Sequence, residues 1–427
     1  MEDIVINDLS ACEISEFFPI FAIVFALNLN RIQNMLNDNA ILSLEKIRTP
    51  FYLYDMELLA ETVSEVVRLS GQYGIEVHYA VKANADDRIL RYIASRGLGA
   101  DCVSGNEVLR AIGSGFPAEK IAFAGVGKTD EEIETAVRNG IFSINCESLP
   151  EMETVDLIAS RLGLRARVSA RINPNIDAHT HKYITTGLEE NKFGISEHDL
   201  DALIRLIRNS KSIDFNGLHF HVGSQILDVE QVFSLECRRA NEIVSYFEKE
   251  GVVIDNIDLG GGLGIDYADP AAHPVPDFRT WFSTIAATIR TRPGRKIHVE
   301  PGRSIVAQCG ILCTKVLFVK RGEKKTFLIT DAGMNDLIRP ALYGARHKVV
   351  NLSARLRQDV AEQVYDVVGP VCESSDVWGE GIRLPESSRG DLLGICSAGA
   401  YGQVMASRYN LRDLAPSVYI PSGDTVD

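Results

Sequence analysis

Between residues 77 and 303 the chain repeats one unit: a short apolar, β-rich run, a polar or glycine-containing bend, then a stretch of helical periodicity. The β-rich runs are Val77–Lys82, Gly99–Ser104, Ile121–Gly125, Phe142–Glu147, Arg167–Ile172, Gly217–Val222, Ile254–Leu259 and Ile297–Glu300. The early runs start about 22 residues apart, the spacing of short βα units. Apolar positions recur every three to four residues over Glu57–Ser70, Asn106–Ser114, Thr129–Asn139 and Gln231–Lys249, which predicts helices there. Eight parallel strands with intervening helices close as a (β/α)8 TIM barrel, so the predicted class is α/β.

After about residue 305 the pattern changes. Ile311–Lys320, Lys325–Asp331, Gln363–Val368, Gly390–Ile395 and Ser417–Ile420 read as strands joined by Gly and Pro, with few helices between them. The expected organisation is an N-terminal segment over 1–48, a barrel over 49–305 and a C-terminal β-rich domain over 306–427. The apolar run Phe17–Leu27 is expected to join the β-rich sheet. It is too short to span a bilayer, which takes about 20 apolar residues, and it lacks the basic start of a signal peptide.

Composition narrows the function. A formal charge of −14 excludes a nucleic-acid surface, which needs clustered Lys and Arg. The eight cysteines show no CxxC pairs and no zinc spacing, so reduced thiols in a cytoplasmic protein are expected, with no metal site and no membrane partner.

The candidate chemistry gathers at strand ends, where a barrel places its active site. Lys82, Asp101, Ser104, Glu147, Arg171, His221, Gly260, Gly261, Gly262 and Glu300 to Arg303 all lie at or just past such ends. Lys82 is a lone cation closing an apolar strand: either a lysine snorkelling to solvent or an amine that carries chemistry. The three glycines after Asp258-Leu259 let backbone N–H groups approach an anion, and Ser224 and Arg303 are further donors for it. No GxxxxGK[ST] occurs, which excludes a P-loop. Glu300, followed by Pro301-Gly302-Arg303, is either half of a structural ion pair or a carboxylate facing a ring nitrogen, which it would keep protonated. His219 and His221 are expected on opposite faces of one strand, with only His221 facing the barrel mouth. Arg339 with Tyr343 suits a carboxylate ligand. Tyr401 stands in a glycine turn, and Cys372 beside Glu373 is a proton-donor candidate or buried filler. An amine, an imidazole, a phosphate cradle and a carboxylate form the inventory of a pyridoxal 5'-phosphate site.

From about Thr49 to Arg412 the chain resembles the diaminopimelate decarboxylase family, fold-type III pyridoxal-phosphate enzymes related to ornithine decarboxylase and alanine racemase. The resemblance rests on an ordered series: TPFYLYD (49–55), YAVKAN (79–84), GADCVSGNE (99–107), TTGLEENKFGI (185–195), HFHVGSQI (219–226), DLGGGLGI (258–265), EPGRSIVA (300–307), DAGMNDLIRPALYGA (331–345), GPVCES (369–374) and SAGAYGQVMASRYN (397–410). It implies that Lys82 holds the cofactor as a Schiff base, that His221 stacks on the ring, that Ser224, Gly260, Gly261, Gly262 and Arg303 lie near the phosphate, and that Glu300 contacts the pyridinium. It further implies that Arg303, Arg339, Tyr343 and Glu373 grip an amino-acid substrate, that Tyr401 lies near both, and that Cys372 returns a proton to the α-carbon. In the family Cys372 and Glu373 enter from the neighbouring subunit, so the implied assembly is a homodimer with active sites at its interface. The implied reaction removes the carboxylate at the D-centre of meso-2,6-diaminopimelate. Decarboxylation of ornithine or arginine, and a non-catalytic binding protein of the same fold, are the alternatives.

Overall fold

The computed structural model describes residues 38–176 and 192–420. Phe17–Leu27 lies outside the described residues. Strands β2 (Ile75–Ala80), β3 (Gly99–Cys102), β4 (Ile121–Phe123), β5 (Ser143–Cys146), β6 (Ala166–Arg171), β7 (Ile213–His219), β8 (Asn256–Asp258) and β9 (Lys296–Val299) follow a first strand, β1 (Phe51–Asp55). β2 to β9 pair in parallel, each with the next, and β9 closes on β2 with Ile75 opposite Ile297 and Val77 opposite Val299. All eight predicted barrel strands are there. They read as unbroken apolar runs because helices cover the sheet outside and side chains fill it inside, so β3 and β5 are buried at every position.

Local signals stop and start the intervening helices. Thr129 and Glu132 form a reciprocal capping box for helix Asp130–Asn139, which ends at Gly140 in the left-handed conformation. Ser104 caps helix Gly105–Gly113 by accepting from Glu107 N, so this strand-end residue orders a helix start.

The remaining strands are β10 (Gly310–Arg321), β11 (Thr326–Thr330), β12 (Val349–Asn351), β13 (Glu362–Val368), β14 (Val377–Pro385), β15 (Leu392–Ile395) and β16 (Ser417–Ile420). They run β12-β15-β10-β11-β13-β14, with β1 antiparallel on β10 and β16 parallel on β1. β1 therefore belongs to this second sheet, although it falls within the 49–305 range expected to form the barrel. Its alternation explains both its place and its full burial. Phe51 and Leu53 pack with Ile311, Leu352 and Leu392 and with Ile41 and Leu44 of helix Asp38–Leu44, while Tyr52 and Tyr54 turn to the barrel core. Tyr54 Oη accepts from Asn84 Nδ2 (3.0 Å), and the same Asn84 nitrogen donates to Gly399 O (2.8 Å). The second sheet is thus fastened to the turn that carries Lys82.

Candidate active site

β2 stops at Ala80, and Val81–Ala83 form a single 3₁₀ winding that lifts Lys82 over the C-terminal mouth of the barrel. Its Nζ lies 3.2 Å from Asp101 Oδ2 at the end of β3. The side chain keeps 40 % of its surface because one flank opens into a cavity of about 290 Å³. Burial works against the charged amine, but Asp101, Tyr401 and Glu300 outweigh it and hold Lys82 above its ordinary range. Asp101 is pushed up to about 7 by burial and by Glu300, against the pull of Lys82.

The cavity floor is built from the ends of β7, β8 and β9. Glu300 Oε2 sits 3.3 Å from His219 Nε2, and ligand atoms of Glu300, His219 and Asp258 all lie within 4.8 Å of one another. Burial opposes the charge on Glu300, yet His219, Lys82 and His221 hold its carboxyl well below the usual range. Asp258 is driven the other way, by burial and by the Glu300 charge. Its Oδ1 accepts from Gly260 N (2.9 Å), and its carboxyl hydrogen-bonds the Glu300 carboxylate, a bond between two carboxyl groups that needs a proton on Asp258. The trio is accounted for by one carboxylate, one carboxylic acid and an imidazole. Glu300 lines the cavity, and its Oε1 is buried with no donor partner among the described residues. A buried acceptor without a donor suits an N–H group, and the N–H of a pyridinium is of the right kind.

His219 and His221 both take part, against the expectation that only one faces the mouth. Residues two apart in extended chain share a face, so His219 lies below Glu300 while His221, just past the strand, lines the cavity. His221 Nδ1 accepts from Gly261 N (3.2 Å), and burial followed by Arg171 and Lys82 lowers the ring far below the ordinary histidine range. It stays neutral.

The glycines beside it leave no room for side chains. A Cβ on Gly260 would meet His221 Nδ1 and Phe220 O at 2.6 Å, one on Gly261 would meet Glu300 O at 2.2 Å, and one on Gly262 would meet Gly223 O at 2.7 Å. Arg303, 5 % exposed, spans this wall: Nη2 donates to Ser224 Oγ (2.9 Å), Nη1 donates to Tyr267 Oη (2.6 Å), and Nε has no partner among the described residues. Bare backbone, a hydroxyl and a guanidinium with a free donor are the groups that could hold a phosphate.

Above the cavity stand Arg339, Tyr343 and Tyr401. Arg339, 6 % exposed, has its guanidinium carbon 5.4 to 5.9 Å from the rings of Tyr267, Tyr401 and Tyr343. Tyr401 is held at φ +55, where its N–H donates to Ala83 O (2.8 Å), tying the strained turn to the Lys82 winding. Among the described residues neither Arg303 nor Arg339 pairs with a carboxylate. Cys372 and Glu373 are not brought into this cavity. Both are exposed on the loop between β13 and β14, where Glu373 accepts from Tyr409 Oη (2.6 Å). Three contributors escaped the motifs: Tyr267 and His347, single residues in loops without diagnostic spacing, and Phe193, quoted only within KFGI, whose ring lies under Arg171 and lines the cavity. Glu147 and Arg171 pair behind it at 2.8 Å and only position that wall.

Residues 59–307 match the family model for the pyridoxal binding domain of pyridoxal-dependent decarboxylases. The chain is 50 % identical over 382 residues to the diaminopimelate decarboxylase of Bacteroides thetaiotaomicron, an overlap of 89 % of this chain and 96 % of the relative. It is 41 % identical over 380 residues to that of Neisseria meningitidis, covering 89 % and 91 %. Among solved structures, diaminopimelate decarboxylase from Helicobacter pylori complexed with L-lysine superposes with a TM-score of 0.81 at 38 % identity, over 88 % of this chain and 93 % of the other. By the family model over 59–307 and by relatives up to 50 % identical over most of its length, the chain belongs to the pyridoxal-dependent decarboxylases and, within them, to the diaminopimelate decarboxylase family.

Proposed function

We propose that this chain removes carbon dioxide from the D-centre of meso-2,6-diaminopimelate to leave L-lysine, acting in the cytoplasm as a homodimer. The observation that carries the substrate assignment is Arg339: a buried guanidinium without a carboxylate partner among the described residues, opening on the same cavity as Lys82. A distal carboxylate neutralises it. The distal ammonium of ornithine or the guanidinium of arginine would instead meet like charge, which disfavours both. The family's pyridoxal 5'-phosphate, when bound, supplies an electron sink for the carbanion left behind by carbon dioxide.

The chain's own residues do the rest. Lys82 would anchor the cofactor through its amine, and Gly260, Gly261, Gly262, Ser224 and Arg303 would hold the phosphate. Glu300 would accept from the ring nitrogen and favour its protonated form, with Asp258 and His219 fixing the Glu300 charge. Neutral His221 offers a flat face to the ring. Arg339 and Tyr343 hold the distal carboxylate, and Arg303 and Tyr401 bound the reacting end. Cys372 and Glu373 stand exposed, away from this cavity. In the proposed dimer they complete the neighbouring protomer's site, Cys372 delivering a proton to the α-carbon and Glu373 receiving the distal amine. Their exposure in one protomer supports that assignment. No helix among the described residues is long and apolar enough to cross a membrane, and the described cysteines are free thiols, as a reducing compartment requires.

Arg339→Ala tests the substrate assignment. Diaminopimelate turnover is expected to fall about a hundredfold in kcat/KM, while any residual ornithine turnover changes little or rises. Equal losses on both substrates would refute a role in gripping the distal carboxylate.

A further inference from the structure

Arg339 is only useful to a carboxylate if its fork is held in one orientation, and the guanidinium has five donors and no acceptor to be held by. Among the described residues its one side-chain hydrogen bond runs from Nε to His347 Nε2, at 3.4 Å, with both residues 6 % exposed. On its other side the imidazole meets a backbone carbonyl: Nδ1 lies 2.9 Å from Cys396 O. A carbonyl only accepts, so Nδ1 carries the hydrogen. An arginine Nε only donates, so Nε2 must present a lone pair. The two partners together select one tautomer of one charge state, the neutral Nδ1–H imidazole. Tyr267 closes the arrangement, its ring set edge-on to His347 at 5.0 Å while its hydroxyl accepts from Arg303.

We propose that His347 is a positioning residue for substrate selection: it transmits the rigidity of the β15 end, through Cys396 O, to the Arg339 fork that receives the distal carboxylate. This rests on the diaminopimelate reading above and adds to it the element that orients its key arginine. Burial, with Arg339 and Arg303 close by, lowers the His347 pKa to about 4, so the accepting lone pair is available throughout the neutral range. Next to a protonated ring Arg339 would face N–H against N–H, and the fork would be released.

The test uses two substitutions that differ in which half of the imidazole they keep. His347→Asn retains a donor where Nδ1 stands and removes the acceptor; His347→Gln places an amide oxygen where Nε2 stands. In the pyridoxal-phosphate-loaded dimer, H347N is expected to raise KM for meso-diaminopimelate and the inhibition constant of L-lysine about tenfold each, with kcat within about threefold. H347Q should bring both constants to within about threefold of wild type. L-Lysine retains the distal centre without the scissile carboxylate, so its binding reads the arginine independently of chemistry. A merely structural role predicts instead that both variants lose melting temperature and kcat together with no rescue by Gln, and that result would overturn the proposal. Neutron diffraction from wild-type crystals provides a check free of variants: a deuteron on Nδ1 alone supports it, and a deuteron on Nε2 overturns it. Wild-type enzyme without diaminopimelate turnover would remove the reading beneath; normal wild-type turnover with an unmoved H347N KM would remove this inference alone.

Discussion

The floor and the rim of the cavity solve opposite electrostatic problems. The floor, made by the barrel, crowds Asp101, Asp258 and Glu300 together in the interior and resolves their repulsion internally, with Lys82, with His219 and by keeping Asp258 protonated. The rim, made by Arg303 and Tyr267 from the barrel loops and by Arg339, Tyr343 and Tyr401 from the second-sheet region, collects two guanidiniums among three tyrosines and, among the described residues, provides no carboxylate paired with them. A self-balanced floor suits a resident cofactor whose protonation state must be constant. An unbalanced rim suits a transient anionic ligand, whose arrival supplies the missing charge.

The most severe way to break the floor is Lys82→Ala. Carbon dioxide release is expected to fall by about three orders of magnitude or more, and the visible absorbance of the loaded enzyme to disappear. Full turnover by the variant, followed by gas release and spectroscopy, would detach Lys82 from the chemistry. The proposed contribution of a second protomer to the site is tested by mixing two variants expected to be inactive, Lys82→Ala and Cys372→Ala. Random re-association leaves one intact composite site in each mixed dimer, so about a quarter of wild-type activity should return. A mixture as dead as its parents would place Lys82 and Cys372 in the same protomer's site.

The smallest effect expected is on acid stability. In the fold the His347 ring stays neutral down to about pH 4, whereas in the unfolded chain it takes up a proton below about 6.5. The unfolded state thus binds more protons across that window, and stability rises with pH through it. Replacing the ring by His347→Gln should remove about 2 kcal/mol of the loss between pH 7.5 and pH 5, read from urea midpoints at the two pH values. An unchanged pH slope would mean that the folded ring titrates as freely as the unfolded one.

How much of this was legible in the sequence depended on whether a residue sat in a periodic unit. The barrel was readable because βα spacing and doubly buried strands leave a pattern over more than two hundred residues. β1 was not separable from it: FYLYD is as apolar as a barrel strand, and its partner β10 lies some 260 residues away. The strands β12 and β14 and the helices Asp87–Ser95, Leu149–Leu162, Leu200–Asn209 and Phe278–Thr288 were likewise not singled out. Within the site, Lys82, Glu300 and the three glycines stood out because a charge or a missing side chain at the end of an apolar strand is costly without a use. Tyr267 and His347 carry no such signal, since a loop tyrosine or histidine is ordinary until its neighbours in space are known. The exposure of Cys372 and Glu373 could not be read from GPVCES, whose composition fits burial equally well.

The most direct measurement is carbon dioxide release from meso-diaminopimelate, ornithine and arginine, each supplied separately with and without added pyridoxal 5'-phosphate. Release from diaminopimelate alone, dependent on the cofactor and matched by L-lysine formed, is the expected result. Release from ornithine or arginine at an equal or greater rate, or release from diaminopimelate by protein stripped of the cofactor, would contradict it.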